Sequence, residues 1–268
     1  MIGIFDSGVG GLSVLGAIRR GFPDLEVIYL ADQAHVPYGP RPIEEVRFFS
    51  EQIARFLLAE GCRLCVVACN AASAAGLHHL RQTFPEVPFV GMEPAVKPAA
   101  AKTHSGVVGV LATPATFQGA LYASVVERFA NGVTVLQDTC PGLVAQIEAG
   151  NLKGTETKAI LDKALQPMLK RGLDTIVLGC THYPFVIPLI QEIVGPDVQV
   201  IDPAPAIARQ VGRLLEAQGL LPQPGAAPQP KRFYTTGNAH RLESMLVELL
   251  GLNGQVDQLH WVKGSLVK

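Results

Sequence analysis

Short apolar runs alternate with amphipathic stretches along the chain. Ile2–Asp6 reads as a strand, and a glycine-rich turn separates it from a helix over about 13–21. Val27–Ala31 reads as a second strand. Between 44 and 60, Val46, Phe49, Ile53, Phe56 and Leu57 recur at helical spacing and fall on one face. Gly61 is placed to end that helix. A strand over 64–69, a helix over 71–84 and a short apolar run over 88–92 follow. Val107–Ala112 is the next strand, with a helix after Pro114 and a further strand over 133–137. Residues 155–171 form a helical stretch with Thr155 as N-cap and Gly172 past its end. Thr175–Gly179 and 198–201 are strands, and 206–218 and 242–250 are helices. The stretch 220–231 is rich in Pro, Gln and Ala and reads as an extended surface connection with no assigned function.

Strands that alternate with helices and carry no charge, as in 176–179, predict an α/β fold with parallel sheets covered on both faces. At roughly 150 residues per domain, 268 residues is just under two domains. A chain 48% hydrophobic and 17% charged is not disordered. A net charge of -1 lacks the basic excess of a nucleic-acid binder, so no such partner is expected. Five cysteines are too few for a disulfide scaffold. The uncharged run 105–126 is long enough to span a membrane, but it contains Gly109, Thr113, Pro114, Thr116 and Gln118. It reads instead as strand, turn and helix start. The N-terminus has no basic stretch before its apolar residues. These features predict a soluble cytoplasmic protein with reduced thiols and no membrane contact.

Two segments echo each other. LCVVACNAASA at 64–74 and TIVLGCTHYPF at 175–185 each place a cysteine, then a small polar residue, after an apolar strand. Parallel open sheets bind ligands at the carboxyl ends of their strands, so Cys69 and Cys180 fall where chemistry is expected. The alternative is two buried cysteines acting as small hydrophobes, and the pattern does not decide between them. The glycines of FDSGVGGLS lack both the G-x-G-x-x-G spacing and a Gly-Lys-Ser/Thr end. Either the loop offers N–H groups, with Asp6 and Ser7, to a small polar ligand, or it lets strand and helix pack closely. Cys62-x-x-Cys65, with His78 after twelve intervening residues, mimics part of a zinc site. However, His78 and His79 are adjacent, and in an extended strand the two sulfurs would point to opposite faces. Core cysteines and no metal are the expectation. His182, beside Cys180, either pairs with a thiol or carboxylate or caps a helix. Glu148, set among apolar residues, reads as a surface residue at a helix end. Tyr38–Gly39, in the proline-rich loop 35–42, lines a pocket or turns the chain.

Taken together, FDSGVGGLSVL at 5–15, PYG at 37–39, ACNAAS at 68–73, LAT at 111–113 and GCTHYP at 179–184 resemble the glutamate racemases. The resemblance runs in order over essentially the whole chain, and the combination of motifs is specific. It implies a cofactor-independent racemase that interconverts L- and D-glutamate, the latter a building block of bacterial peptidoglycan. It also implies two similar doubly wound domains with mainly parallel sheets, 1–93 with 207–268 and 94–206, and an active site in the cleft between them. Cys69 and Cys180 match the family's catalytic cysteines, with Asp6, Glu148 and His182 assisting them. Asp6, Ser7, Tyr38, Gly39, Asn70, Ala71, Thr113, Thr116, Thr181 and His182 match positions at the substrate. The family usually has Asn-Thr after the first cysteine, so Ala71 lacks a hydroxyl here. A homodimer with glutamate as its small-molecule partner is implied, with no metal. The alternatives are an aspartate or other amino-acid racemase of the same fold, or a regulatory binding protein on that scaffold. The near-neutral charge gives no support to a gyrase-directed role.

A racemase removes the α-proton from one face of the carbon and returns a proton to the other, so it needs an acid–base group on each side. The resemblance implies that Cys69 deprotonates D-glutamate and Cys180 L-glutamate. A free thiol has a pKa near 8.5, so only about 3% is ionised at pH 7. A helix N-terminus after each strand would raise that fraction, and His182 and Asp6 would assist.

Overall fold

The computed structural model describes residues 1–221 and 231–268. Most of the Pro-, Gln- and Ala-rich connection, 222–230, lies outside the described residues. The first part of the chain alternates β1 (Ile2–Asp6), α1 (Leu12–Gly21), β2 (Val27–Ala31), α2 (Ile43–Ala59), β3 (Cys65–Val67), α3 (Asn70–Thr83) and β4 (Phe89–Gly91). The middle follows as α4 (Val96–Lys102), β5 (Val107–Ala112), α5 (Pro114–Gln118), α6 (Ala120–Phe129), β6 (Thr134–Asp138), α7 (Leu143–Glu148), α8 (Thr155–Leu169), β7 (Thr175–Gly179), α9 (Ile187–Val194) and β8 (Gln199–Ile201). The last part holds α10 (Ala204–Ala217), β9 (Lys231–Thr235), α11 (Ala239–Leu250), β10 (Val256–Gln258), β11 (His260–Val262) and β12 (Ser265–Val267).

These strands make two parallel sheets and a terminal hairpin. One sheet has the order β10-β9-β2-β1-β3-β4, the other β6-β5-β7-β8. β11 and β12 pair antiparallel. The alternation of side chains in a strand sorts the first sheet into two faces. Ile2, Ile4, Tyr29 and Val66 pack on one side, toward α1, α10 and α11. Phe5, Ile28, Leu30 and Val67 pack on the other, toward α2 and α3. Each such fully buried aliphatic side chain contributes about 1.5–3 kcal/mol. The second sheet is covered by α4 and α6 on one face, through Val96 and Val125, and by α8 and α9 on the other, through Leu161, Leu165 and Ile190. α10 follows β8 in sequence but packs on α1 of the first sheet.

The parallel α/β fold is as expected, and the echo in sequence corresponds to a shared four-strand unit: β2-β1-β3-β4 matches β6-β5-β7-β8. The two sheets differ because the first gains β9 and β10, neither of which the hydrophobic pattern reveals. β9 reads KRFYT and opens with two cations, and β10 reads VDQ. α11 starts three residues before the expected 242, because the side chain of Asn238 accepts from the Arg241 N–H and caps it. Thr155 is the first residue of α8 rather than its cap; that position is Gly154. The helix after Pro114 is broken at Gly119 into α5 and α6.

Candidate active site

In each sheet the chain steps to one side of the first strand and then returns to the other. The switch points lie between β1 and β3 and between β5 and β7. A crevice opens there at the carboxyl ends of the strands. Asp6 ends β1 and Ser7 follows it, Cys69 and Asn70 follow β3, Thr113 follows β5, and Cys180 follows β7. Both cysteines therefore leave the third strand of their unit, and both line a single cavity between the sheets. Ser7, Gly39, Asn70 and Ala71 line it from the first unit, and Thr113, Thr181 and His182 from the second.

Cys69 is the N-cap of α3. Its sulfur accepts from the Ala72 N–H at 3.5 Å and lies 4.0 Å from Ser7 Oγ. Burial and the neighbouring Asp6 charge push its thiol well above the ordinary value, and the Ala72 N–H and Ser7 offset only part of this. Cys69 is therefore a protonated thiol at neutral pH. The helix N-terminus moderates the effect of burial here and does not reverse it.

Cys180 is built differently. No α-helix begins at this thiol; a 3₁₀ turn, Tyr183–Val186, separates it from α9. Its electrostatic partner is His182, whose Nδ1 is 3.8 Å from the sulfur and whose Nε2 is 2.7 Å from Glu148 Oε1. An ionised carboxylate only accepts, so Nε2 carries its proton toward Glu148. Burial would lower the His182 pKa, but hydrogen bonds to Cys180 and Glu148 and their charges raise it well above the ordinary value. Burial likewise opposes ionisation of Glu148, yet His182, the Val9 N–H and Gln33 hold its carboxyl below the usual range. The raised pKa favours the protonated ring, whose Nδ1 faces the Cys180 sulfur.

The glycine-rich loop acts through what it admits. Three of its N–H groups are already committed to carboxylates. Those of Gly8 and Gly11 go to Asp6 Oδ2 at 3.1 and 3.0 Å, and that of Val9 goes to Glu148 at 2.7 Å. A Cβ on Gly8 would lie 1.9 Å from Glu148 Oε1, and one on Gly10 would lie 2.4 Å from His182 Nδ1. Side chains at these positions would displace the carboxylate or the ring. Burial pushes the Asp6 carboxyl up, partly countered by His182 and the two loop N–H groups.

Several residues singled out from the sequence stand behind the cavity wall. Asp6 is fully buried and accepts from Thr181 Oγ1 at 3.3 Å. Thr116 pairs with Thr113 Oγ1 at 3.3 Å. Glu148 is not a surface residue at a helix end: its side chain is 14% exposed, and it reaches across to the first unit. The Tyr38 ring lines the cavity, but its hydroxyl donates away from it to Asp32 at 2.6 Å. Val144 and Pro37 also line the cavity; Pro37 opens the PYG motif, whereas Val144 carries no sequence signal beyond its apolar type. Asn70 is buried against the cavity, and neither its Nδ2 nor its Oδ1 has a hydrogen-bond partner.

The other cysteines, Cys62, Cys65 and Cys140, are buried free thiols. β3 begins only at Cys65, so the two CxxC sulfurs are not on one extended strand; both pack in the same core cluster. Burial pushes Cys62 up to about 12 and Cys65 and Cys140 higher still. Among the described residues no cluster of metal-ligating side chains is present, and no helix is long and apolar enough to cross a membrane.

Residues 7–211 match the model of the Asp/Glu/Hydantoin racemase family. The chain is 49% identical over 258 residues to the glutamate racemase of Pseudomonas aeruginosa, covering 96% of this chain and 97% of that protein. A glutamate racemase from Bacillus anthracis has a similar structure, with a TM-score of 0.86, 33% identity and 96% of both chains covered. Escherichia coli glutamate racemase, solved with L-glutamate and the activator UDP-MurNAc-Ala, gives a TM-score of 0.84 at 30% identity, covering 100% of this chain and 99% of that one.

Proposed function

The chain belongs to the Asp/Glu/Hydantoin racemase family, and from that premise we propose that it interconverts L- and D-glutamate by moving the α-proton between Cys69 and Cys180. The observation that carries this reading is that two thiols, one from each sheet, line one cavity beside an unpartnered buried amide. Proton transfer through positioned groups contributes about 10²–10⁴-fold. The further stabilisation of carboxylate and carbanion falls to Asn70, Ser7, Thr113 and Thr181.

The two thiols start unequal. Cys69 holds its proton, while Cys180 faces the His182 ring, whose protonated form can balance negative charge on sulfur. With L-glutamate, Cys180 takes the α-proton and Cys69 delivers its own to the opposite face. D-glutamate uses the reverse assignment. The thiols supply the proton transfers, so the reaction draws on no cofactor. The domain division is 1–93 with 207–268 against 94–206, and the working form is a homodimer in the cytoplasm. The product enters peptidoglycan.

The test is incubation with L-glutamate in D₂O without added cofactor, followed by circular dichroism and by NMR of the α-proton. Both signals should decay, and Cys69→Ala and Cys180→Ala should each abolish racemisation in both directions. Full turnover by either variant would sink the two-thiol scheme. Decay with aspartate alone would correct the substrate.

A further inference from the structure

Glu148 is held by more groups than its partnership with His182 requires. Its Oε1 takes the Nε2–H of His182 and the N–H of Val9, and its Oε2 takes an N–H of Gln33 at 3.0 Å. Glu148 and His182 lie between β5 and β8, whereas Val9 and Gln33 follow β1 and β2. The carboxylate therefore bridges the cleft. The orientation of the Gln33 amide follows from its partners. A carboxylate cannot donate, so the NH₂ group faces Glu148. Gln33 Oε1 takes the hydroxyl of Thr235, at the end of β9, at 2.8 Å. That hydroxyl oxygen accepts in turn from the Gly237 N–H at 3.0 Å.

We infer that Gln33 is a positioning residue for the Cys180 side of the reaction. Its amide fixes the Glu148 carboxylate across the cleft, and through it the His182 ring beside the Cys180 sulfur. The inference rests on the two-thiol reading above. Gln33 is not among the residues lining the cavity, and it acts through two hydrogen bonds in series. Both of its fixed points, β2 and β9, belong to the first sheet, so the bond to Glu148 exists only while the two units are together.

The experiment compares wild type, Gln33→Leu and Gln33→Glu in the full chain. Leucine keeps bulk and removes the donor. L- and D-glutamate are equal in free energy, so kcat/KM must fall equally in both directions. The expected loss is about tenfold, the order of one lost hydrogen bond to a charged group. It should fall on kcat rather than KM. Glutamate at position 33 donates while protonated and repels once ionised, and two carboxylates sharing a site raise one pKa. Gln33→Glu should therefore approach wild type at the acid end and drop below Gln33→Leu as pH rises. The charged and titratable groups facing Glu148 are His182 after β7, with Cys180 beyond it, Asp6 at the end of β1, Tyr29 on β2 and Arg241 of α11, which donates to the Glu148 carbonyl. All are unchanged in these variants, so the difference isolates position 33. Wild-type kcat in both variants, or the same pH-independent deficit in both, overturns the inference. If Gln33→Leu does not fold, the pH profile of Gln33→Glu decides alone. Cys180→Ala, run alongside, separates the two failures. Activity in that variant sinks the two-thiol reading, whereas its inactivity beside wild-type-like Gln33 variants sinks only the role of Gln33.

Discussion

Asn70 shows what one residue can disclose. It is 4% exposed, and both polar atoms of its side chain are unpartnered. A buried unpaired polar group costs about 1–3 kcal/mol, a penalty that a bound substrate would relieve. Asn70→Ala should leave the denaturation midpoint unchanged or raised, while kcat/KM falls about 10²–10³-fold, as when one positioned donor is lost. Unchanged activity would remove Asn70 from the site. The motif ACNAAS points to this residue, but its orphaned amide exists only in the fold. Glu148 is the reverse case. The five residues of α7 that precede it give no hint of its partners, because Val9, Gln33 and His182 come from three distant segments.

At the scale of elements, the terminal hairpin is tied to the site by a buried carboxylate. Asp32 accepts from Trp261 Nε1 at 2.8 Å, Thr236 Oγ1 at 2.7 Å, Tyr38 Oη at 2.6 Å and His35 Nδ1 at 2.9 Å. Burial would raise its pKa, but these four bonds together lower it. A lowered carboxylate pKa gives stability that is present above the unfolded value and is lost as pH falls through the folded one. Trp261→Phe removes one donor and should cost about 1.5–3 kcal/mol at neutral pH. That cost should shrink below about pH 4, where the unfolded carboxyl is protonated and the folded one follows. Urea midpoints across the acid range measure it, and a cost constant with pH would mean that the bond is not to a charged carboxylate. β1, β2, β5 and β7 were legible because buried parallel strands are uninterrupted apolar runs. β9, β10 and the hairpin were not, because their places are fixed by neighbouring strands and by Asp32 rather than by composition.

At the scale of the whole molecule, the cavity takes walls from both units, so a ligand within it binds only the folded, assembled chain. D-glutamate at about 100 times its Kd should stabilise the protein by about 2.7 kcal/mol, visible as a rise in Tm. No shift with either enantiomer would place the substrate elsewhere. The two thiols are also unequal at this scale. One sits at a helix N-terminus beside Asp6, the other beside His182, whose partner Glu148 is held from across the cleft.

The sequence by itself determined the alternation of strand and helix, the parallel α/β class, and the two cysteines at the carboxyl ends of strands. These depend on local periodicity and on which residue follows which. Only the tertiary structure decided that the N–H groups of Gly8, Val9 and Gly11 serve Asp6 and Glu148, that Glu148 is largely shielded from solvent, and that Gln33 donates to it. The contacts of Glu148 with Val9, Gln33 and His182 join residues far apart in the chain, and Gly8 and Gly10 leave no Cβ in the way of the carboxylate and the ring.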